Sequence, residues 1–190
     1  MRVEWRAGLA DDFLEVDAAN VSVRYGRPET ASQLSTFNSQ LSAPPPHHIP
    51  SQTLDLIDGD TLLRRYAIST SRHGPGTEPG SHRTPCGRFR IAEKIGDGAP
   101  PGEIFVSRVP TGRFGEEGDE SDHVQTRILW LAGLDPENAN TFDRYIYIHG
   151  TNAESLLGTP ASHGCVRLSN DDVIDLYDRV EVGTAVEIEE

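Results

Sequence analysis

The chain is poor in cysteine: Cys86 and Cys165 are the two thiols among 190 residues. That scarcity excludes a disulfide-rich framework and the close cysteine pairs that organise structural zinc. Long apolar runs are missing as well. No uninterrupted stretch approaches the roughly 18 residues a membrane-crossing helix needs, so no transmembrane span is expected. Bases are outnumbered, with 17 Lys and Arg against 30 Asp and Glu and a formal net charge of −13. Such a balance argues against a protein that follows a phosphate backbone, and nucleic acid is not an expected partner. The opening stretch MRVEWRAGLADDFLEV places Glu4, Asp11 and Asp12 where a secretory leader carries a basic segment and then an apolar one. A cytoplasmic location is the expectation, with a periplasmic or wall-associated one as the alternative if an export route is not visible in the sequence.

What is present suffices for one domain with a developed core plus an irregular extension. Residues 1–50 read as an N-terminal arm. Phe13, Leu14 and Val16, followed by Val21, Val23 and Tyr25, offer material for a short edge strand, and the tract SAPPPHHIP over Ser42–Pro50 favours extended backbone. His47 and His48 in that tract lack nearby acidic or cysteine ligands and read as linker residues.

Residues 51–190 read as a mainly β catalytic domain. Gln52–Ile57 and Leu62–Thr70 flank Asp58-Gly59-Asp60, a turn whose glycine supplies the positive backbone angle a hairpin requires. Phe89–Ile95, Glu103–Val109 and Thr126–Leu131 are further expected strands, and 110–125 reads as a polar surface loop. Period-two alternation is clearest over Arg144–His149, where Tyr145 and Tyr147 take one side and Ile146 and Ile148 the other. Ser169 or Asn170 then caps a helix with Asp172 in its first turn and an apolar face of Val173, Ile174, Leu176, Tyr177 and Val180. Gly183-Thr184 turns into a last strand carrying Val186 and Ile188. No internal repeat is visible.

The chemistry concentrates in SHGCVRL, positions 162–168. Cys165 is the candidate nucleophile, since a thiol beside an imidazole can ionise on attack and the imidazole can protonate a departing nitrogen. Two histidines compete to be that imidazole. His163 is nearer in sequence, whereas His149 stands at the end of the strongest strand, where a backbone carbonyl near Gly150 can take one ring N–H and select the tautomer. Residue spacing alone leaves the two level. Gly164 permits close approach, and the amides of Gly164 and Cys165 are candidates to hold an oxyanion. Arg167 can either make a two-pronged contact with a substrate carboxylate or form a plain salt bridge. His149, His163 and Cys165 carry zinc-compatible atoms, but no compact metal signature accompanies them, so neither metal nor cofactor is expected. Cys86 reads as a loop or partly buried residue, with an oxidation switch toward Cys165 as the lesser reading.

SHGCVRL, preceded by YIYIHG, closely resembles the signature of the L,D-transpeptidase catalytic domain, or YkuD-like, family. The likeness runs from about Ser51 to Ile188 and includes Ser69-Thr70, the TPxGxF-like Thr84-Pro85-Cys86-Gly87-Arg88-Phe89 and Gly158-Thr159-Pro160. The resemblance implies a β-sandwich-like catalytic fold with a helix after the cysteine loop. It assigns the acyl-enzyme to Cys165 and the base to His149. Gly150, Ser162, His163, Gly164 and Arg167 take supporting or substrate-binding places. The implied substrate is a peptidoglycan stem peptide or muropeptide, cleaved at the bond between an L-centre and a D-residue. YAISTSRHGPG, RILWLAG and RYIYIHG are similar to a signal-less branch with L,D-carboxypeptidase activity, which releases terminal D-alanine in muropeptide recycling. Crosslinking by L,D-transpeptidation and non-catalytic muropeptide binding are the alternative expectations.

Overall fold

The Asp58-Gly59-Asp60 turn forms where its sequence dictates. Gly59 takes φ 56°, and β2 (Thr53–Asp58) and β3 (Thr61–Ala67) pair antiparallel across it. A computed structural model describes residues 20–25, 52–119 and 121–189; the expectations for Phe13, Leu14, Val16, His47 and His48 lie outside these. The other described elements are β1 (Asn20–Tyr25), β4 (Gly87–Ile95), β5 (Glu103–Val106), β6 (Val109–Phe114), β7 (Val124–Gly133), β8 (Tyr147–Gly150), β9 (Val166–Leu168), α1 (Asn170–Arg179) and β10 (Ala185–Glu189). The strands join one mixed sheet in the order β3-β2-β1-β10-β4-β7-β5-β6, with β8 on β7 and β9 on β8. The mainly β architecture, with one α-helix among the described residues, following the cysteine loop, is as expected.

Four expectations change in detail. First, β1 is no edge strand: it lies between β2, to which it is parallel, and β10, to which it is antiparallel. Val21 and Val23 are fully buried there. Second, the strand expected over Glu103–Val109 breaks at Ser107 and Arg108, both left-handed at φ 50° and 69°, and returns as β6 through part of the stretch expected to be loop. Neither is the glycine, asparagine or aspartate that usually marks a two-residue turn with positive backbone angles. Third, β8 begins only at Tyr147, because Tyr145 is left-handed at φ 58° and ends a turn. Fourth, β3 stops at Ala67, and Ser69 and Ser71 instead bridge to Arg167 and Ser162.

Alternation along β7 and β8 divides the interior. Leu129, Leu131 and Ile148 face a large core shared with β1, β2, β4, β9, β10 and the helix residues Val173, Leu176 and Tyr177. The inward faces of distant strands thus meet, with the helix, in one core. Ile128, Trp130 and Tyr147 face the other way, into a smaller cluster with Phe105, against which Phe142 and Cys165 pack. The helix starts as predicted: the Ser169 side chain accepts the Asp172 N–H at 3.1 Å. Asn170 ties it to β7, taking a hydrogen bond from the hydroxyl of Thr126, a left-handed residue at a β-bulge.

Candidate active site

Parallel pairing of β8 with β9 sets Ile148 beside Val166, His149 beside Arg167 and Gly150 beside Leu168. Cys165 immediately precedes β9, which brings it to the level of Tyr147. The contact is direct, because the Tyr147 N–H donates to Cys165 Sγ at 3.4 Å. Side chains at 147 and 149 leave one face of β8, those at 165 and 167 one face of the neighbouring chain. The residues that sequence reading singled out are therefore gathered by strand periodicity. Cys165 and His149 are thus carried by adjacent chain segments, two residues apart in register.

The thiol is half-buried and donates to the Tyr145 carbonyl at 3.5 Å. Burial pushes its pKa up to about 11, opposed chiefly by the Tyr147 N–H. His149 is buried, and burial holds its pKa below the ordinary imidazole value, opposed by its contact with Gly150. Both groups thus rest neutral at neutral pH. His149 Nδ1 lies 2.7 Å from the Gly150 carbonyl. A carbonyl only accepts, so Nδ1 carries the proton and Nε2 keeps the lone pair a base needs. Among the described residues no hydrogen bond joins Sγ to the imidazole; such contacts commonly tighten only when substrate is bound.

His163 is committed elsewhere. Its Nε2 stands 3.0 Å from the Arg72 guanidinium, and an arginine only donates, so that lone pair is taken. Its Nδ1 therefore holds the proton and donates to Asp122 at 2.9 Å. Proton accounting separates the two histidines that spacing left level.

Arg167 is turned inward, only 2% exposed. It donates to Asp122 at 2.5 Å and to the Ala161 carbonyl at 3.2 Å, a salt bridge between a buried guanidinium and a partly exposed carboxylate. Ser162, also buried, staples the cysteine turn by donating to the Cys165 carbonyl at 2.6 Å and accepting the Gly164 N–H at 3.2 Å. That bond removes the Gly164 amide from the expected oxyanion pair and leaves the Cys165 amide. Gly164 itself sits at φ 122°, a region closed to ordinary side chains. Gly150 needs its bare Cα for space: a Cβ there would stand 2.6 Å from Asn170 Oδ1 and 2.9 Å from the Gln125 carbonyl.

Several site residues carry no sequence signal. Asp122, in the polar stretch read as loop, joins His163 to Arg167 and, despite partial burial, has its pKa lowered by His163 and Arg167. Arg144 lies within electrostatic reach of Cys165 and spans to the 71–84 segment, donating to Gly76 O at 3.0 Å and Arg83 O at 2.7 Å. Arg108, on the β5–β6 turn, stacks over Trp130 and Tyr145 at 4.7 and 5.3 Å from their ring centres. Cys86 packs against the large core while Cys165 packs against the small one, an arrangement that gives the oxidation switch no support.

The profile of the L,D-transpeptidase catalytic domain, YkuD, matches residues 48–188. The chain belongs to that family, which acts on peptidoglycan peptides. The Bacillus licheniformis protein YkuD is 49% identical over 139 residues, covering 72% of this chain and 59% of that protein. Its Bacillus subtilis namesake is 33% identical over 147 residues, covering 75% and 66%. The chain thus spans about three-fifths to two-thirds the length of these relatives. Among solved structures, an L,D-transpeptidase from Xylanimonas cellulosilytica aligns with 90% of this chain and 60% of that one, at 18% identity and TM-score 0.44.

Proposed function

We propose that this protein cleaves the L,D-peptide bond of peptidoglycan stem peptides by acyl transfer through Cys165, with His149 as the base. The carrying observation is the pair of contacts that leaves His149 Nε2 free as an acceptor while the Tyr147 N–H steadies Sγ. As Sγ attacks the carbonyl carbon, its proton passes to Nε2. Coupled transfer suits a pair whose members both rest neutral, because no ion pair need form in a half-buried site before substrate arrives. The carbonyl oxygen becomes an oxyanion beside the Cys165 amide. The C–N bond then breaks, the imidazolium hands its proton to the departing amine of the D-residue, and the shortened peptide stays as a thioester. Water or an amine attacks that thioester, with His149 again accepting the proton, and Sγ is released.

We take water as the acceptor, which makes the enzyme an L,D-carboxypeptidase releasing terminal D-alanine, in keeping with the sequence likeness to that branch. A role in muropeptide recycling and a cytoplasmic location belong to the same reading. The test is incubation of the purified protein with a defined tetrapeptide and disaccharide-tetrapeptide, with and without an amine acceptor, followed by mass spectrometry. Tripeptide plus free D-alanine without acceptor is the expected product. Acceptor-linked peptide in its place assigns transpeptidation. Cys165→Ala and His149→Ala each abolish turnover, and undiminished activity in both removes the proposal.

A further inference from the structure

Beside the cysteine turn lies a segment, residues 71–84, that the acyl-transfer chemistry does not use. It is firmly held. The Ser71 hydroxyl donates to the His82 carbonyl at 2.5 Å, the Thr84 hydroxyl to the Gly164 carbonyl at 3.0 Å, and Arg144 grips it through Gly76 and Arg83. The Arg72 N–H donates to the Ser162 carbonyl at 3.1 Å, so this lip and the Cys165 turn form one structural unit. Arg72, His73, His82 and Arg83 are among its exposed side chains, as is Glu78.

Three of the groups here converge. The rings of His73, His82 and His163 form a nearly equilateral triangle with centre-to-centre distances of 6.2, 6.4 and 6.1 Å, and Arg72 is bonded to the His163 corner at 3.0 Å. The carboxylate nearest this corner, Asp122, is already shared by His163 and Arg167, while Glu78 lies toward Arg144. In a chain of net charge −13, whose overall field repels anions, a rim of N–H donors one residue from the cysteine turn is a local reversal of sign that draws an anionic group to that spot. Arg72 gives one of its five N–H groups to His163, and the remainder of its planar fork suits a carboxylate.

Building on the acyl-transfer reading, we infer that Arg72, with His73 and His82, is a carboxylate-binding subsite that selects peptides bearing a free carboxylate near the scissile bond. A stem peptide offers two such groups: the terminal carboxylate of the D-residue and the side-chain carboxylate of a diamino diacid.

Calorimetric titration of the Cys165→Ala protein tests this without turnover, using a tetrapeptide with both carboxylates free and two versions with one or the other converted to carboxamide. One of the two amides binds roughly tenfold or more weakly than the parent, as loss of a charge-assisted contact requires, and which one identifies the group that is read. Adding Arg72→Gln abolishes the difference between acid and amide, and Arg72→Lys restores part of it. The inference is overturned if neither amide differs from the parent, if no peptide binds, or if Arg72→Gln leaves the acid-to-amide ratio unchanged. Release of D-alanine by the unmodified protein is scored separately: turnover without carboxylate preference removes the subsite and keeps the acyl transfer, and carboxylate preference without turnover does the reverse.

Discussion

At the scale of single residues, the arrangement turns on which imidazole nitrogen is free. His149 and His163 are chemically identical and both close to the cysteine, yet a carbonyl on one and a guanidinium on the other give them opposite availability. His149→Gln lowers kcat/KM by about a hundredfold or more, the usual worth of a general base. His163→Gln, which gives up hydrogen bonds rather than a proton acceptor, costs roughly tenfold or less. Steady-state kinetics of the two variants checks the order, and reversal would exchange their roles. The pH profile follows from the same groups. Activity needs neutral His149, whose folded pKa lies below the ordinary value of about 6.5 because it is buried. Hence kcat/KM rises with pH through a limb below that value. The thiol, raised to about 11, sets the alkaline limb, and the plateau between them is broad. A preformed thiolate–imidazolium pair would instead lose activity on the alkaline side as the thiolate-stabilised imidazolium deprotonates, well before the value of about 11 set by a neutral thiol.

At the scale of elements, the helix and the strand pair behind the site do the placing. α1 backs β8, and its first turn is satisfied by the Ser169 cap. Ser169→Ala costs about 1 kcal/mol, read as a lower denaturation midpoint with an unchanged slope. This cap was legible in the sequence because Ser169-Asn170-Asp171-Asp172 states its chemistry locally. So was the face of β8, where Tyr147 and Ile148 point as alternation requires. The β5–β6 turn was not legible: Ser107 and Arg108 hold left-handed conformations that neither side chain announces, and pairing to β7 and packing over Trp130 override local preference. Asp122 was illegible for a related reason. Its importance arises from the two partners, His163 and Arg167, that come from far along the chain.

At the scale of the whole molecule, β1 closes the sheet between β2 and β10. Its apolar pattern, Val21 and Val23 alternating with polar residues, was readable as a strand. Its interior position was not, since pairing partners some thirty and more than 160 residues away leave no local mark. Val23→Ala therefore removes two fully buried methyl groups from the main core and lowers stability by about 2 kcal/mol. Chemical denaturation followed by circular dichroism reads this directly. An unchanged midpoint would place β1 outside the cooperative unit.

The central claim is that one sulfur carries the peptide between two bonds. Intact-protein mass spectrometry after rapid acid quench of the enzyme with tetrapeptide tests it most directly. The account predicts an adduct equal to the tripeptide acyl group, located on the peptide containing Cys165, discharged by hydroxylamine and missing in Cys165→Ala. Product formation by the Cys165→Ala protein, or an adduct on any other residue, would contradict it.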